Sequence, residues 1–355
     1  MNGYVTFLRH VLFTEIMKIE EVLQCALPNW YERFEKVTFP TVIVPIPGDV
    51  LEYLKDNGSL VLPMECNRES YDGTEEDYDD FGDVDWNDHS EERESDQKSF
   101  PEFSQAIQRH INNFGGDVFI KLNWSCPKDA TWVAFNNNLK CSSLSQVYLL
   151  LKSSDFVAHD LTQPFKDCED WSEAAQAVQY SLVLRRWVDI NPGTEVRCWV
   201  ADHQVLAMCQ RDTSNFYPHM ALEEDSIKQD VLSFFSEHIS SRLPLTRFVM
   251  DVVRPSKDNV VLVDFNPWGD TTDSLLFSWA ELDAWSASLA RDDCPVFRCI
   301  EEGGGVRPPP FRHYSLPRDV VDLATGEDPA KLIDFLRLKQ RTENGDLDSD
   351  GSDPE

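Results

Sequence analysis

The sequence predicts an α+β protein of two lobes with largely antiparallel sheets. Three observations predict it. Apolar runs of strand length crowd the second half of the chain. The helical periodicities do not alternate with them strand for strand, as a parallel βαβ sheet would require. No period of 20–50 residues repeats, which excludes a solenoid. At 355 residues, 41% hydrophobic and 11% aromatic, the chain has ample material for a buried core.

The elements follow in order. Phe13, Ile16, Ile19, Leu23 and Leu27 recur at helical spacing, so residues 14–34 read as helix with Thr14 in the capping position. Residues 39–46 read as a short strand bounded by Pro40, Pro45 and Pro47. Phe103, Ile107, Ile111 and Phe114 mark one face of a helix that starts at Pro101 and ends at Gly115-Gly116. Residues 118–122 and 132–135 read as strands, and residues 144–153 as a helix. Further strands are expected over 182–190, 195–201, 205–210, 248–253 and 260–265. Helices are expected over 223–242 and 275–289.

Charge narrows the partners. The net charge of −31 argues against nucleic acid or an anionic membrane, whose phosphates would be repelled, and favours a basic protein surface. Residues 65–98 hold 15 acidic and 3 basic side chains, and residues 343–355 hold 6 acidic and no basic ones. Such runs bury too little apolar surface to offset their ordering entropy, so both read as disordered. The nine cysteines are odd in number and lack a CxxC spacing, and several sit among apolar residues, as buried thiols do in a reducing compartment. No signal-peptide core and no run of about 18 apolar residues is present. The expectation is a cytosolic or nuclear protein, assigned as cytoplasmic.

The chemistry concentrates in two apolar strands, 248–253 and 260–265, joined by a turn-rich connection. If Lys257-Asp258 centres the turn, Asp251 lies directly opposite Asp264, and Asn266 shares their face. Directly opposed residues have Cβ atoms roughly 4.5–5.5 Å apart, where like charges repel. Such a pair needs a cation, and an all-oxygen donor set favours Mg²⁺ over zinc. The other reading puts both carboxylates at strand ends in water.

Lys121 sits within an apolar strand, where a buried ammonium needs an anion; as an edge-strand residue it could equally snorkel to water. The loop after it, Asn123-Trp124-Ser125, offers hydroxyl and N–H groups suited to phosphate. Arg185, Arg186, Trp187 and Val188 end another strand, and Glu195 and Arg197 share a face of the next. Arginines gathered in strands suit a polyanion, although Glu195 and Arg197 could simply pair with each other. GxxxxGK[ST], GxGxxG and GxSxG are all absent, so no Walker loop, dinucleotide fold or serine nucleophile is indicated.

Together, Phe119 to Ala130, Leu182 to Trp187, Gln210-Arg211-Asp212, Val263 to Pro267 and Asp273 to Phe277 resemble the cell division cycle protein 123 family. The resemblance runs from about Trp30 to Trp285 and includes an acidic insertion before Pro101. It implies an ATP-grasp-like fold that binds ATP and Mg²⁺ between two lobes. It also implies an assembly chaperone for translation initiation factor 2, acting through that factor's gamma subunit. By motif, Lys121, Asn123, Trp124 and Ser125 would meet the nucleotide from the first lobe. Arg185, Arg186, Trp187 and Val188 would form the hinge around adenine, with Gly193, Glu195 and Arg197 nearby. Arg211 would face phosphate, and Asp251, Asp264 and Asn266 would ligate magnesium.

Two positions depart from the pattern: Arg186 stands where a lysine is expected, and Cys126 replaces a small residue. The implied layout places the N-terminal part of the first lobe at 1–64, the acidic insertion at 65–99 and the rest of that lobe, with the nucleotide loop, at 100–180. The second lobe with the metal site follows at 181–302, then a C-terminal extension at 303–342 and an acidic tail at 343–355. The chain is expected to be monomeric, without direct contact to nucleic acid or membrane, and no catalytic residue is assigned. The alternative is an active ATP-grasp ligase joining a carboxylate to an amine.

Overall fold

The computed structural model of the protein describes residues 17–56, 60–66, 97–134, 137–172, 178–288 and 294–302. The Thr14 cap, most of the acidic insertion, and the extension and tail beyond residue 302 fall outside the described residues.

The first helical stretch divides in two, α1 (Ile19–Cys25) and α2 (Leu27–Phe34). Pro28 lacks the N–H that would bond back to Gln24, so the helix breaks at Ala26 (φ −64°, ψ 128°) and restarts. Strand β1 (Thr41–Pro45) follows, then α3 (Gly48–Lys55), which the sequence reading missed. Helix α4 (Pro101–Asn113) ends as expected, with Gly115 and Gly116 at φ 92° and 103°, where a side chain would be strained. Strands β2 (Val118–Lys121) and β3 (Lys140–Cys141) flank a 3₁₀ segment, Lys128–Val133.

That segment corrects the strand expected over 132–135, of which Phe135 lies outside the described residues. Asp129 anchors it: its carboxylate accepts from the Ser154 hydroxyl at 2.6 Å and the Asp155 N–H at 2.7 Å. A buried carboxylate with fixed donors outweighs the strand preference of Trp132 and Val133. Helices α5 (Leu144–Lys152) and α6 (Asp155–Thr162) are capped by Ser143 and Ser154.

Strand β4 (Ser181–Arg186) completes a four-stranded antiparallel sheet in the order β1-β4-β2-β3. Alternation sorts its faces: Val118, Ile120, Leu182 and Leu184 enter a core with α3 to α6, whereas Phe119, Lys121, Val183 and Arg185 lie on the opposite face.

The second sheet runs β8-β7-β5-β6-β9. Its strands are β5 (Glu195–Ala201), β6 (Gln204–Gln210), β7 (Arg247–Ser256), β8 (Asn259–Asn266) and β9 (Val296–Arg298), with only β9 parallel to its neighbour. Between β6 and β7 come α7 (Pro218–Leu222) and α8 (Glu224–Phe234), the latter continued by a π-turn at Phe235–Ile239. Val196, Cys198, Phe248, Met250 and Leu262 pack against α2 and α8. Trp30, Phe34 and Phe248 meet Phe265 edge-on, at centroid distances of 5.2, 5.3 and 5.6 Å. The other face carries Trp199 and Val249 under α9 (Trp279–Ser286) at one end and charged residues at the other.

The lobes meet along β8, an edge strand. Its carbonyls at Leu262 and Val263 accept from the Thr38 hydroxyl (2.7 Å) and from Arg185 Nη1 (2.6 Å). The edge is thereby covered rather than left open to pairing. Six of the nine cysteines are buried. Among the described residues no helix is long and apolar enough to cross a membrane.

Candidate functional site

The hairpin register is the one the turn predicts. Ser256 pairs with Asn259, and Asp251 lies opposite Asp264. Between those pairs the register slips by one residue and slips back through two irregularities, at Asp251/Val252 and at Val253/Ser256. The two slips cancel.

Protein cations neutralise both carboxylates. Arg197, directly opposite Asp251 on β5, forms a two-pronged ion pair with it, Nε to Oδ1 and Nη2 to Oδ2 both at 2.7 Å. Arg211 Nε lies 3.3 Å from Asp251 Oδ2, and Arg211 also pairs with Glu195 at 3.6 Å. The Asn266 amide donates to Asp251 Oδ2 at 3.2 Å, which puts Asn266 on the expected face. Burial pushes the Asp251 carboxyl up, but Arg197 and Arg211 outweigh it and hold the group well below the usual carboxylate range. Asp264 pairs with Lys121, which reaches across from β2 of the other lobe. Lys121 is 2% exposed, so its ammonium is buried with its anion rather than snorkelling.

In front of this cluster lies a cavity of about 440 Å³ between the lobes. Phe39, Phe119, Val188 and Ile190 supply its apolar walls, and Trp187 lines it with its indole N–H held by Asp189 at 2.9 Å. Arg185, Arg186, Arg211 and Lys128 supply positive charge, and Glu195 and Asp189 negative charge. Arg185 is stacked between Trp30 and Phe39, 5.7 and 5.9 Å from their centroids, and its buried Nε has no hydrogen-bond partner. Burial and the neighbouring Arg211 lower the Lys128 pKa, and burial raises that of Glu195. Cavity and cluster together hold six cations and four carboxylates. A net positive site in a chain of charge −31 suits an anion.

Six predicted residues line this cavity: Arg185, Arg186, Trp187, Val188, Glu195 and Arg211. Five more, Lys121, Arg197, Asp251, Asp264 and Asn266, form the ion-pair cluster behind it. Four take structural places instead. The Asn123 amide bridges Gln179 O and the Ser181 N–H, and the Trp124 indole donates to Val22 O at 2.8 Å. Ser125 donates through its N–H and hydroxyl to Asp160 at 2.8 and 2.9 Å. Gly193 lines a separate pocket of about 330 Å³ with His219 and Arg254.

Sequence reasoning assigned no role to Lys128, Thr131 or Phe39, which line the cavity. Lys128 stood within the strings that carried the resemblance, seven residues after Lys121, so it was within reach.

The donor set fits magnesium in kind, since Asp264, Asn266 and Asp251 all offer oxygen. Among the described residues no three His, Cys, Asp or Glu side chains gather as a metal centre, so the fit requires the Asn266 amide oxygen. Asp264 is the more accessible carboxylate, 18% exposed against 3% for Asp251.

The D123 family profile matches residues 30–324. A Xenopus tropicalis protein named translation initiation factor eIF2 assembly protein is 43% identical over 341 residues, covering 94% of this chain and all of the relative. A Phaeosphaeria nodorum protein named cell division cycle protein 123 is 41% identical over 334 residues, covering 82% of this chain and 87% of its own. The solved structure of Cdc123 from Schizosaccharomyces pombe superposes with a TM-score of 0.65 at 33% identity, covering 81% of this chain and all of that one.

Proposed function

This chain belongs to the D123 family, and from that premise we propose that it is an assembly factor for translation initiation factor eIF2 that binds Mg-ATP between its lobes in an ATP-grasp-like cleft. The role in eIF2 assembly is supported by relatives that carry that name over nearly the whole chain. Binding through the eIF2 gamma subunit is the finer form of this reading, and the chain's acidity suits a basic client surface.

One observation carries the nucleotide: an interlobe cavity with apolar walls and a cationic floor, backed by two paired carboxylates. The apolar walls with Trp187 and Val188 would take the base. Arg185, Lys128 and Arg211 would take the phosphates. Asp264 and Asn266 would hold magnesium, with Asp251 as the third oxygen donor. Magnesium would supply charge neutralisation between phosphates and carboxylates.

The ion pairs suit this exchange. A carboxylate given to the metal would release its lysine or arginine, which would then be available to a phosphate. Asp251 would join the metal only if Arg197 or Arg211 turned away from it. No reaction is assigned, and no observation favours the ligase alternative.

Calorimetry of the purified chain with ATP, with and without Mg²⁺, tests the site. The reading expects magnesium-dependent binding that is lost in Asp264→Ala. An Asp264→Ala protein that cannot bind ATP yet assembles eIF2 normally would separate the nucleotide from the function and defeat the proposal.

A further inference from the structure

Lys121 is 2% exposed, and its polar partner is Asp264, across the lobe interface. Its strand neighbours Ile120 and Leu122 are fully buried in the first-lobe core, so the backbone that carries it is fixed. An ammonium in that position cannot be left without an anion, because stranding one partner of a buried pair is strongly destabilising. The same carboxylate is the more accessible of the two in the metal set, 18% exposed against 3% for Asp251.

We propose that Lys121 and a divalent cation compete for the Asp264 carboxylate, so that the metal binds tightly only when a phosphate takes over Lys121. The inference rests on the Mg-ATP reading and adds an order of dependence to it. Phosphate and metal then bind with positive coupling, because each relieves the cost the other imposes: the phosphate supplies an anion for Lys121, and the metal supplies a cation for Asp264. Lys121 is thus a positioning residue that suppresses metal binding in the absence of phosphate. The coupling also acts on the lobe contact, since the pair joins β2 of one lobe to β8 of the other. Arg185 to Val263 O and Thr38 to Leu262 O remain to hold the lobes together when it opens.

The test uses Mn²⁺ as the probe and reads the loss of its free-ion electron paramagnetic resonance signal, with no nucleotide added. The expected result is that Lys121→Met binds Mn²⁺ at least about tenfold more tightly than the wild-type chain. Lys121→Arg, which keeps the charge, should exclude the ion as the wild type does. Adding Asp264→Asn to Lys121→Met should abolish the gain. Equal Mn²⁺ affinity in the wild type and Lys121→Met overturns the competition.

Should Lys121→Met not fold, the wild-type chain alone decides. Mn²⁺ with ATP must raise its melting temperature, by roughly 3–5 °C at ten times the Kd, and Mn²⁺ alone must not. A rise with the metal alone overturns the competition and leaves the Mg-ATP reading standing. No rise with Mn²⁺ and ATP together overturns both.

Discussion

Asp251 and Asp264 face each other across β7 and β8, and each is neutralised from a different lobe: Asp251 by Arg197 of β5 and Arg211 just beyond β6, Asp264 by Lys121 of β2. Two like charges in a directly opposed pair would repel. The arrangement persists because both are sunk in ion pairs, and these make the hairpin's polar end vulnerable to single substitutions.

Arg197→Ala should be among the more damaging of these. Arg197 and Asp251 have side chains 7% and 3% exposed, so deletion strands a buried carboxylate with only Arg211 and the Asn266 amide. Breaking such a pair costs about 3–5 kcal/mol. Arg197→Lys keeps the charge but loses the two-pronged geometry and the bond to Asp273 O, and should cost less. Urea unfolding of the two variants gives the order, and an Arg197→Ala midpoint equal to wild type would show that Arg211 suffices.

Asp160 gives the chain an unusual pH response. Burial pushes its carboxyl up to about 6, although the Ser125 N–H and hydroxyl pull it down. Its folded pKa lies above the unfolded value of about 3.9, so its contribution to stability is fully present below that pH and lost as pH rises through about 6. Asp251 acts in the opposite sense. Its pKa is depressed, so its contribution is present above about pH 3.9 and lost as pH falls through its folded value. Asp160→Asn should therefore remove a decline in stability between about pH 4 and 6. Urea midpoints measured across that range check it, and coincident slopes for the two proteins would assign the decline to other groups.

Gly193 separates a packing role from a nucleotide role. Its backbone is compatible with any residue, but an added Cβ would stand 2.6 Å from Tyr217 Cδ1 and 2.9 Å from His219 Cε1. His219 also contacts the Gly193 carbonyl, its Nε2 at 2.7 Å, and the Tyr217 hydroxyl donates to Asp212 at 2.6 Å. Gly193→Ala should push both rings aside at a cost of about 1–3 kcal/mol. Because Gly193 lines the pocket with Arg254 and not the interlobe cavity, ATP affinity should stay within about twofold of wild type. Calorimetry and thermal melting on one preparation read both, and lost affinity with unchanged stability would return Gly193 to the nucleotide.

The parts of this architecture legible in the sequence are those set by local rules. Strand alternation puts Glu195 and Arg197 on one face, and the turn at Lys257-Asp258, where Asp258 takes φ 59°, sets Asp251 against Asp264. That inference survived two register slips only because they cancel, and no residue signals them. What stayed hidden depends on distant contacts. The strand pattern of Trp132 and Val133 gave way to an anchor formed by Asp129 with the start of α6. The loop after Lys121 looked ready for phosphate, yet Trp124 and Ser125 give their donors to Val22 and Asp160. A polar side chain in a loop advertises hydrogen-bonding capacity, and the partner is fixed by packing that spacing cannot report.

Val188 offers the most direct probe of where the nucleotide sits. It lines the interlobe cavity but is 44% exposed, so its side chain contributes little to any core. Val188→Trp should leave stability within about 0.5 kcal/mol, as surface changes do. It should also occupy part of a cavity of about 440 Å³ that the base would otherwise enter. The expected result is an unchanged melting temperature with ATP affinity reduced at least about tenfold, equivalent to about 1.4 kcal/mol. Arg186 beside it is exposed and provides the contrast. Arg186→Ala removes charge rather than space, so its effect on ATP binding should weaken with added salt while that of Val188→Trp should not. Unchanged affinity in Val188→Trp would move the base away from the Trp187-Val188 wall and leave the cationic cluster to bind an anion of another kind.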